Sequence, residues 1–146
     1  MATSPINYRL AGVSQGGNAG SYFKPRIREA LDAFPVRLVR IEMVPASPLY
    51  HLYDAATGTF DWTKLDAEIE AVQAQGAEIL INLFGTPPHL VSDDSAKVPA
   101  FTPPTDFQAY ADFCAKIVHH VNVEKQYGVR LWEIWNEPSG GWFWSA

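Results

Sequence analysis

The sequence predicts an α/β protein built from parallel β/α units, and two observations lead to this fold class. Four short apolar segments with the character of buried strands alternate with three segments in which apolar residues recur at helical spacing. Strands that alternate with helices in this way form a parallel sheet with right-handed crossovers. The loops after the strand segments are also longer and richer in polar and aromatic residues than the turns before them. Function in such folds lies at the carboxyl ends of the strands, which fits both a barrel and an open doubly wound sheet.

The first half of the chain contains two predicted strands and one predicted helix. An apolar segment at 8–13 is followed by a glycine-rich loop, whose glycines lack the spacing of a nucleotide-binding fingerprint. The segment 24–33 is a short predicted helix with a proline near its first turn. The segment 36–44 is apolar enough for a buried strand, and a long proline-containing loop is expected after it.

The clearest helical pattern follows that loop. Apolar residues at helical spacing predict a helix at 62–75, which Asp61 can cap and Gly76 ends. The next segment, 77–84, is a predicted strand that a glycine and two prolines interrupt. Because the strand begins directly after the glycine, the turn before it is short.

The last helix and strand complete the alternation. Thr105 and Gln108 form a predicted capping box at the start of a long amphipathic helix at 106–127. Gly128 ends this helix, and a final strand is predicted at 129–136. The predicted order of elements is therefore β-α-β-α-β-α-β.

Length and composition predict one globular domain that covers residues 1–146. The net charge is −5 with no basic block, so we expect no nucleic acid partner. No apolar run reaches about 18 residues, so we expect no membrane span. The first residues lack the basic and apolar regions of a signal peptide, which leaves localisation open. The lone Cys114 excludes an internal disulfide and occupies an apolar helical position, so we expect a buried, unreactive thiol.

The most informative segment is Leu-Trp-Glu-Ile-Trp-Asn-Glu-Pro at 131–138. An apolar strand runs directly into Asn136 and Glu137, which places an amide and a carboxyl group together at a strand end. Pro138 fixes one backbone angle and holds the turn. A barrel enzyme presents an acid to a sugar in this way. The alternative is a surface carboxylate at a strand end.

At these residues the sequence resembles the clan A glycoside hydrolases, which are retaining (β/α)8-barrel enzymes with Asn-Glu-Pro at the end of the fourth strand. The segments 60–66 (Phe-Asp-Trp-Thr-Lys-Leu-Asp) and 79–88 extend the similarity, which is strongest to family 39 with its β-xylosidases and α-L-iduronidases. The resemblance runs from about Arg37 to Trp144. It implies that the chain is half of a TIM (β/α)8 barrel and comprises strands one to four only.

The resemblance implies that Glu137 is the general acid/base and that Asn136 hydrogen-bonds the sugar 2-hydroxyl. A group in the first role must protonate the glycosidic oxygen and later deprotonate water. A contact to the 2-hydroxyl strengthens as oxocarbenium character develops in the transition state. The chemistry of both side chains therefore suits the implied roles.

Arg40 lies on the second predicted strand, and the resemblance implies an arginine near this position that contacts the nucleophile. The alternative is an arginine that pairs with a structural acid such as Glu42, since buried arginines are rarely unpaired. Both interpretations stay open at the level of sequence. For Glu133, inside the last strand, we expect a structural hydrogen-bonding role rather than a catalytic one.

Three further residues are candidates for contacts with a sugar. His89 follows two prolines at the exit of the third strand, where it could contact a sugar hydroxyl or face solvent. Trp142 and Trp144 could border the sugar pocket by stacking on an apolar sugar face, or could cover core that the absent strands leave exposed. The adjacent His119 and His120 cannot share a helix face, so we expect surface positions there and no metal ligands.

In the resembled family the nucleophile is a glutamate at the end of strand seven, and retention requires it about 5–5.5 Å from the acid/base. We therefore expect this chain alone to lack covalent glycosidase chemistry. Open sheet edges pair with other chains, so we expect self-association or a complementing C-terminal half. The expected ligand is a β-linked carbohydrate, with no metal or cofactor. Two function classes remain: a β-glycosidase half that is active when completed, and a catalytically inactive carbohydrate-binding or remnant domain.

Overall fold

A four-stranded parallel sheet lies at the centre of the molecule. The structure is a computed structural model that describes residues 12–14, 36–43 and 48–144, and also Glu29 and Ala33. The described strands and α-helices, in chain order, are β1 (Gly12–Ser14), β2 (Leu38–Glu42), β3 (Tyr53–Asp54), β4 (Thr59–Phe60), α1 (Thr63–Gln73), β5 (Glu78–Leu83), α2 (Phe107–His119) and β6 (Leu131–Ile134). The sheet has the order β1-β2-β5-β6, and β3 and β4 form a separate antiparallel hairpin.

The predicted α/β class and the parallel pairing are confirmed. The strands predicted at 36–44, 77–84 and 129–136 are each present with shorter bounds, because pairing ends before the apolar segments do. The prediction at 8–13 overlaps β1 only at its last residues, and its other residues lie outside the described part of the chain. The helix predicted at 24–33 also lies outside the described residues, except at Glu29 and Ala33.

The two faces of the sheet differ in polarity. One face is apolar and packs against α1 and α2; its core residues include Val39, Ile41, Ile79, Ile81, Leu65, Ile69 and Ile117. The other face carries Arg40 and Glu42 of β2, Asn82 of β5 and Glu133 of β6. Glu42, Asn82 and Glu133 are register partners across three strands, so their side chains project from the same face.

The start of α2 differs from the predicted capping box. Asp106, not Thr105, is the N-cap residue, and its carboxylate accepts hydrogen bonds from the backbone N–H groups of Gln108 and Ala109 at 2.8 and 3.0 Å. The Thr105 hydroxyl instead contacts the Leu90 carbonyl at 3.3 Å. An ionised oxygen next to two free N–H groups is a stronger acceptor than a hydroxyl, which explains why the helix begins one residue later.

The end of the predicted 106–127 helix is not α-helical. From His120 to Glu124 the backbone forms a π-helix, and Gly128, at a φ of 70°, precedes the last strand. The expectation of a surface position is wrong for His120, which is only 4% exposed. His119 is exposed as expected. The wider turn brings both rings to one carboxylate, since Glu124 lies 3.3 Å from His119 Nδ1 and 2.8 Å from His120 Nδ1.

The segment between β2 and α1 contains structure that the sequence did not indicate. Residues Pro48–His51 form a 3-10 helix, and β3 and β4 form a short hairpin where a long loop was expected. The hairpin places Tyr53 and Phe60 against Phe113 of α2. Neither described α-helix has the length and apolar character that crossing a bilayer requires.

Candidate active site

The turn that follows β6 has an unusual backbone. Trp135 and Glu137 have positive φ angles of 67° and 45°, which non-glycine residues seldom adopt. The Trp135 N–H donates to the Leu83 carbonyl at 2.9 Å, and the Asn82 Nδ2 donates to the Trp135 carbonyl at 2.6 Å. Both groups of the Trp135 backbone are therefore bonded to β5, which holds the turn against the sheet end.

Arg40 joins three side chains through its guanidinium group. Its Nε donates to Glu133 Oε2 at 2.7 Å, one terminal nitrogen donates to Glu42, and the other donates to Asn136 Oδ1 at 2.9 Å. Of the two interpretations of Arg40, pairing with Glu42 is therefore observed, and Glu133 has the structural role expected of it. The same arginine also reaches the turn after β6. Its contact with a nucleophile stays a prediction.

The bond from Arg40 determines how the Asn136 amide can be used. Its oxygen accepts from the guanidinium, so its nitrogen remains available to donate to a further group. Around this amide, one arginine faces two carboxylates, and the Ser14 hydroxyl also donates to Glu42. An excess of carboxylates favours neutral ligands with hydroxyl groups over anions.

Glu137 lies at the exposed end of the turn. Its Oε2 is 3.3 Å from the indole Nε1 of Trp142, which is 70% exposed, and its backbone carbonyl accepts from the Gly140 N–H at 2.9 Å. A Cβ at position 140 would lie 2.8 Å from the Trp142 ring, so only glycine permits the indole to lie there. Gly140 thus allows Trp142 to reach the carboxylate.

Trp144 has a different environment from Trp142. Its ring packs edge-on against Trp135 at a centroid distance of 4.9 Å, and it is partly buried. The neighbouring Phe143 packs against Phe84 and Phe101 and accepts a hydrogen bond from the Trp135 indole at 2.9 Å. These contacts favour a covering role for Trp144, whereas Trp142 lies beside the candidate acid. Contacts of either residue with a sugar stay predictions.

His89 lies apart from this group of residues. It belongs to a 3-10 helix, Pro88–Leu90, and its ring contacts Tyr53 at 4.5 Å and Phe113 at 6.0 Å between centroids. Desolvation by burial against these rings lowers the pKa of His89 below its ordinary value, and the charge of Lys116 acts in the same direction. The contacts described for His89 thus connect it to the β3–β4 hairpin and α2 rather than to Glu137.

Asn82 is the residue of this region that the sequence reading missed. It is fully buried and supports the turn through Trp135. The available signal was one amide among the apolar residues 79–83 of β5, since a buried polar side chain needs a specific partner. No three potential metal ligands come together within the described ranges. Cys114 is buried as expected, and burial raises the pKa of its thiol to about 11.

No protein-family model matches the chain, and no curated protein sequence is significantly similar to it. Several solved structures are similar in fold, and two of them illustrate the similarity. One is a GH39 β-xylosidase from Caulobacter crescentus, with a TM-score of 0.78 and 22% identity over 99% of this chain and 35% of that one. The other is a GH39 enzyme from Xanthomonas axonopodis pv. citri, with a TM-score of 0.71 and 21% identity over 98% of this chain and 30% of that one. The resemblance to family 39 is thus confirmed at the level of fold, and the chain spans about a third of the length of both structures.

Proposed function

We propose that residues 1–146 form the N-terminal half of a (β/α)8-barrel glycoside hydrolase, with β1, β2, β5 and β6 as barrel strands one to four. Glu137 is the general acid/base in this proposal. The observation that carries it is the arrangement at the carboxyl end of β6, where Arg40 holds Asn136 next to the exposed Glu137. The fold shared with two GH39 structures over nearly the whole chain supports the same assignment.

Glu137 has the contacts that an acid/base needs. One carboxyl oxygen faces the Trp142 indole N–H, so the other can carry the proton that passes to the glycosidic oxygen. After the leaving group departs, the same carboxylate can take a proton from the attacking water. Its exposure leaves room for a leaving group on the open side of the turn.

Asn136 supplies the sugar contact in this proposal. Arg40 donates to the Asn136 Oδ1, so the Asn136 Nδ2 group is available to donate a hydrogen bond to a hydroxyl oxygen of the ligand. If this hydroxyl is the sugar 2-hydroxyl, its hydrogen bond with Asn136 becomes stronger as positive charge develops at the neighbouring anomeric carbon in the transition state. Arg40 then acts on substrate through Asn136, and Trp142 borders the same space.

The nucleophile is the part of the mechanism that we assign to another polypeptide segment. Glu42 and Glu133 share the polar face with the site, but they lie on β2 and β6, the proposed barrel strands two and four, whereas the resembled family carries its nucleophile at the end of strand seven. We therefore propose that strands five to eight supply the second carboxylate. A complementing C-terminal half would provide these strands with their carboxylate, whereas a second copy of the chain would add a second Glu137 across the barrel mouth.

The test is to complete the barrel with the part of the Caulobacter crescentus GH39 β-xylosidase that lies beyond the matched region. We expect the completed protein to hydrolyse aryl β-xylosides and Glu137→Gln to abolish hydrolysis of substrates with poor leaving groups. Dinitrophenyl xyloside needs no protonation of its leaving group, so the covalent intermediate still forms in Glu137→Gln. Added azide should restore turnover, because this anion attacks the intermediate without a base, releases the enzyme carboxylate and yields xylosyl azide. Glu78→Gln is the matched control at the opposite end of the sheet and should remain active.

Full activity of Glu137→Gln with a poor leaving group would contradict the acid/base assignment. A folded, completed protein that binds xylose without turnover would instead support the second function, a carbohydrate-binding domain without catalysis. Isothermal titration with xylose measures binding and product release measures turnover, so the two measurements together separate these outcomes. Both functions require the Asn136 contact, so Asn136→Ala should weaken xylose binding in either case.

A further inference from the structure

We infer that Asn82 is a positioning residue for Glu137 and acts through the backbone of Trp135. This inference rests on the proposed function, since it concerns the placement of the proposed acid/base. Asn82 is fully buried in β5 and lies in register between Glu42 and Glu133. It therefore extends the polar face of the sheet to the turn that presents the carboxyl group.

The orientation of the Asn82 amide follows from its partner. The group 2.6 Å away is the Trp135 carbonyl, which can only accept a hydrogen bond, so the Asn82 atom facing it must be the NH2 group. Within this turn, Trp135 is the first non-glycine residue with a left-handed backbone, and Glu137 is the second. Such conformations persist only where the surroundings hold them, and Asn82 supplies the one side-chain bond described for the Trp135 carbonyl.

The oxygen of the Asn82 amide lacks a partner in the part of the chain that the structure describes. This atom, Oδ1, is buried. An unpaired buried acceptor opposes folding, and an apolar side chain of similar size would avoid this loss. The hydrogen bond from its NH2 group to the Trp135 carbonyl therefore explains an asparagine at this position better than a contribution to stability does.

Asn122 provides the contrast within the same strand system. It lies before β6 and uses both amide atoms on one residue, donating to the Val129 carbonyl at 2.8 Å and accepting from the Val129 N–H at 2.9 Å. This fully paired amide fixes the start of the last strand. Asn82 instead bonds the turn that follows the last strand, and only its Nδ2 has a partner among the described residues. We therefore assign a structural role to Asn122 and a positioning role to Asn82.

The experiment measures the turn directly by nuclear magnetic resonance on the intact chain. Backbone chemical shifts and strong intraresidue HN–Hα contacts report the left-handed conformation of Trp135 and Glu137, because a positive φ brings these two hydrogens close together. The indole Nε1–H resonance of Trp142 reports its contact with Glu137; Trp142→Phe identifies this resonance, and Glu137→Ala defines its position without the contact. In Asn82→Asp, which has the same size but no NH2 donor, we expect loss of both left-handed signatures and a Trp142 resonance at the Glu137→Ala position.

Asn82→Ala, which adds no charge, should give the same result. Asn122→Ala should lower the thermal midpoint but leave both signatures and the Trp142 resonance unchanged. The inference is overturned if the Asn82 variants keep these signals. It is also overturned if they lose the resonances of β6 as a whole, because Asn82 would then be a general structural residue. Failure of the barrel-completion test would leave these measurements unchanged, so the two proposals can fail independently.

Discussion

Both ring nitrogens of His120 face carboxylate oxygens. Nε2 lies 2.8 Å from Asp66 Oδ1 in α1, Nδ1 lies 2.8 Å from Glu124 Oε2, and the ring stacks on Trp62 at 4.1 Å. Lys125 also pairs with Asp66 at 2.8 Å. The buried His120 thus connects α1 to the π-helix that follows α2.

We predict that His120→Phe, which can keep the stacking on Trp62, destabilises the fold by about 2 kcal/mol at neutral pH through loss of the bond to Asp66. The hydrogen bond from His120 is the main cause that lowers the pKa of Glu124 below its ordinary value of 4.5. A lowered folded-state pKa adds stability above the unfolded pKa, and this stability is lost as the pH falls through the folded value. The difference between wild type and variant should therefore shrink on acidification below about 4.5.

Urea unfolding between neutral pH and about pH 3 measures this difference. His119→Phe is the matched control, since His119 is exposed and contacts the same carboxylate. Its effect should stay within about 1 kcal/mol, as for other surface pairs. If the free energies of unfolding of wild type and His120→Phe differ by the same amount at every pH, the link to Glu124 is wrong.

At the level of elements, the start of α2 depends on one carboxylate. Asp106 accepts from two N–H groups of the first turn, so we predict that Asp106→Ala destabilises the protein by about 1 kcal/mol. Thr105→Ala should have a smaller effect, because its 3.3 Å contact with Leu90 caps no helical N–H. Denaturant midpoints of the two variants give the comparison, and a larger loss for Thr105→Ala would restore the capping-box interpretation.

At the scale of the whole molecule, β6 is an edge strand in the described sheet. It pairs with β5 on one side, and Leu131 and Ile134 are 39% and 61% exposed. A parallel sheet is normally covered on both faces. The unpaired backbone groups of an apolar edge strand can form hydrogen bonds with a strand of another chain. These features support the expectation of self-association or complementation.

We predict that the chain forms a dimer at micromolar concentration and that Ile134→Lys weakens it by about tenfold or more, because a charge on an edge strand opposes pairing. Phe107→Lys is the control, since Phe107 is 64% exposed but lies on α2. Sedimentation across the concentration range measures both variants. A particle of 16.2 kDa for the wild type at every concentration would rule out self-association.

A second prediction at this scale concerns activity. We expect no measurable hydrolysis of aryl β-xylosides or β-glucosides by this chain alone, because a dimer would place two Glu137 carboxyls across the barrel mouth. Retention requires a separation of about 5–5.5 Å, which this arrangement does not favour. Product release is measured beside Glu137→Gln. Turnover that the control abolishes would show that a second carboxylate is already in place.

The sequence by itself determined the type and order of the elements. Apolar periodicity and the glycines at 76 and 128 depend on neighbouring residues, so β2, β5, β6, α1 and α2 could be predicted locally. The N-cap of α2, the π-helix at its end and the β3–β4 hairpin were not predicted. The position of Asn136 and Glu137 at a strand end followed from the same pattern, as did the burial of Cys114. The resemblance to family 39 added the roles that are proposed for the first two.

The tertiary structure decided which distant residues meet. Arg40 and Glu133 are 93 positions apart, and Asn82 and Trp135 are 53 apart, so their contacts depend on strand register rather than on local pattern. His120 became buried because a π-helix widened the turn and brought it to Asp66 of α1. Local composition specifies elements through backbone preference and amphipathic spacing. The partners of a buried charge or amide are specified only when the packed elements bring them within hydrogen-bond distance.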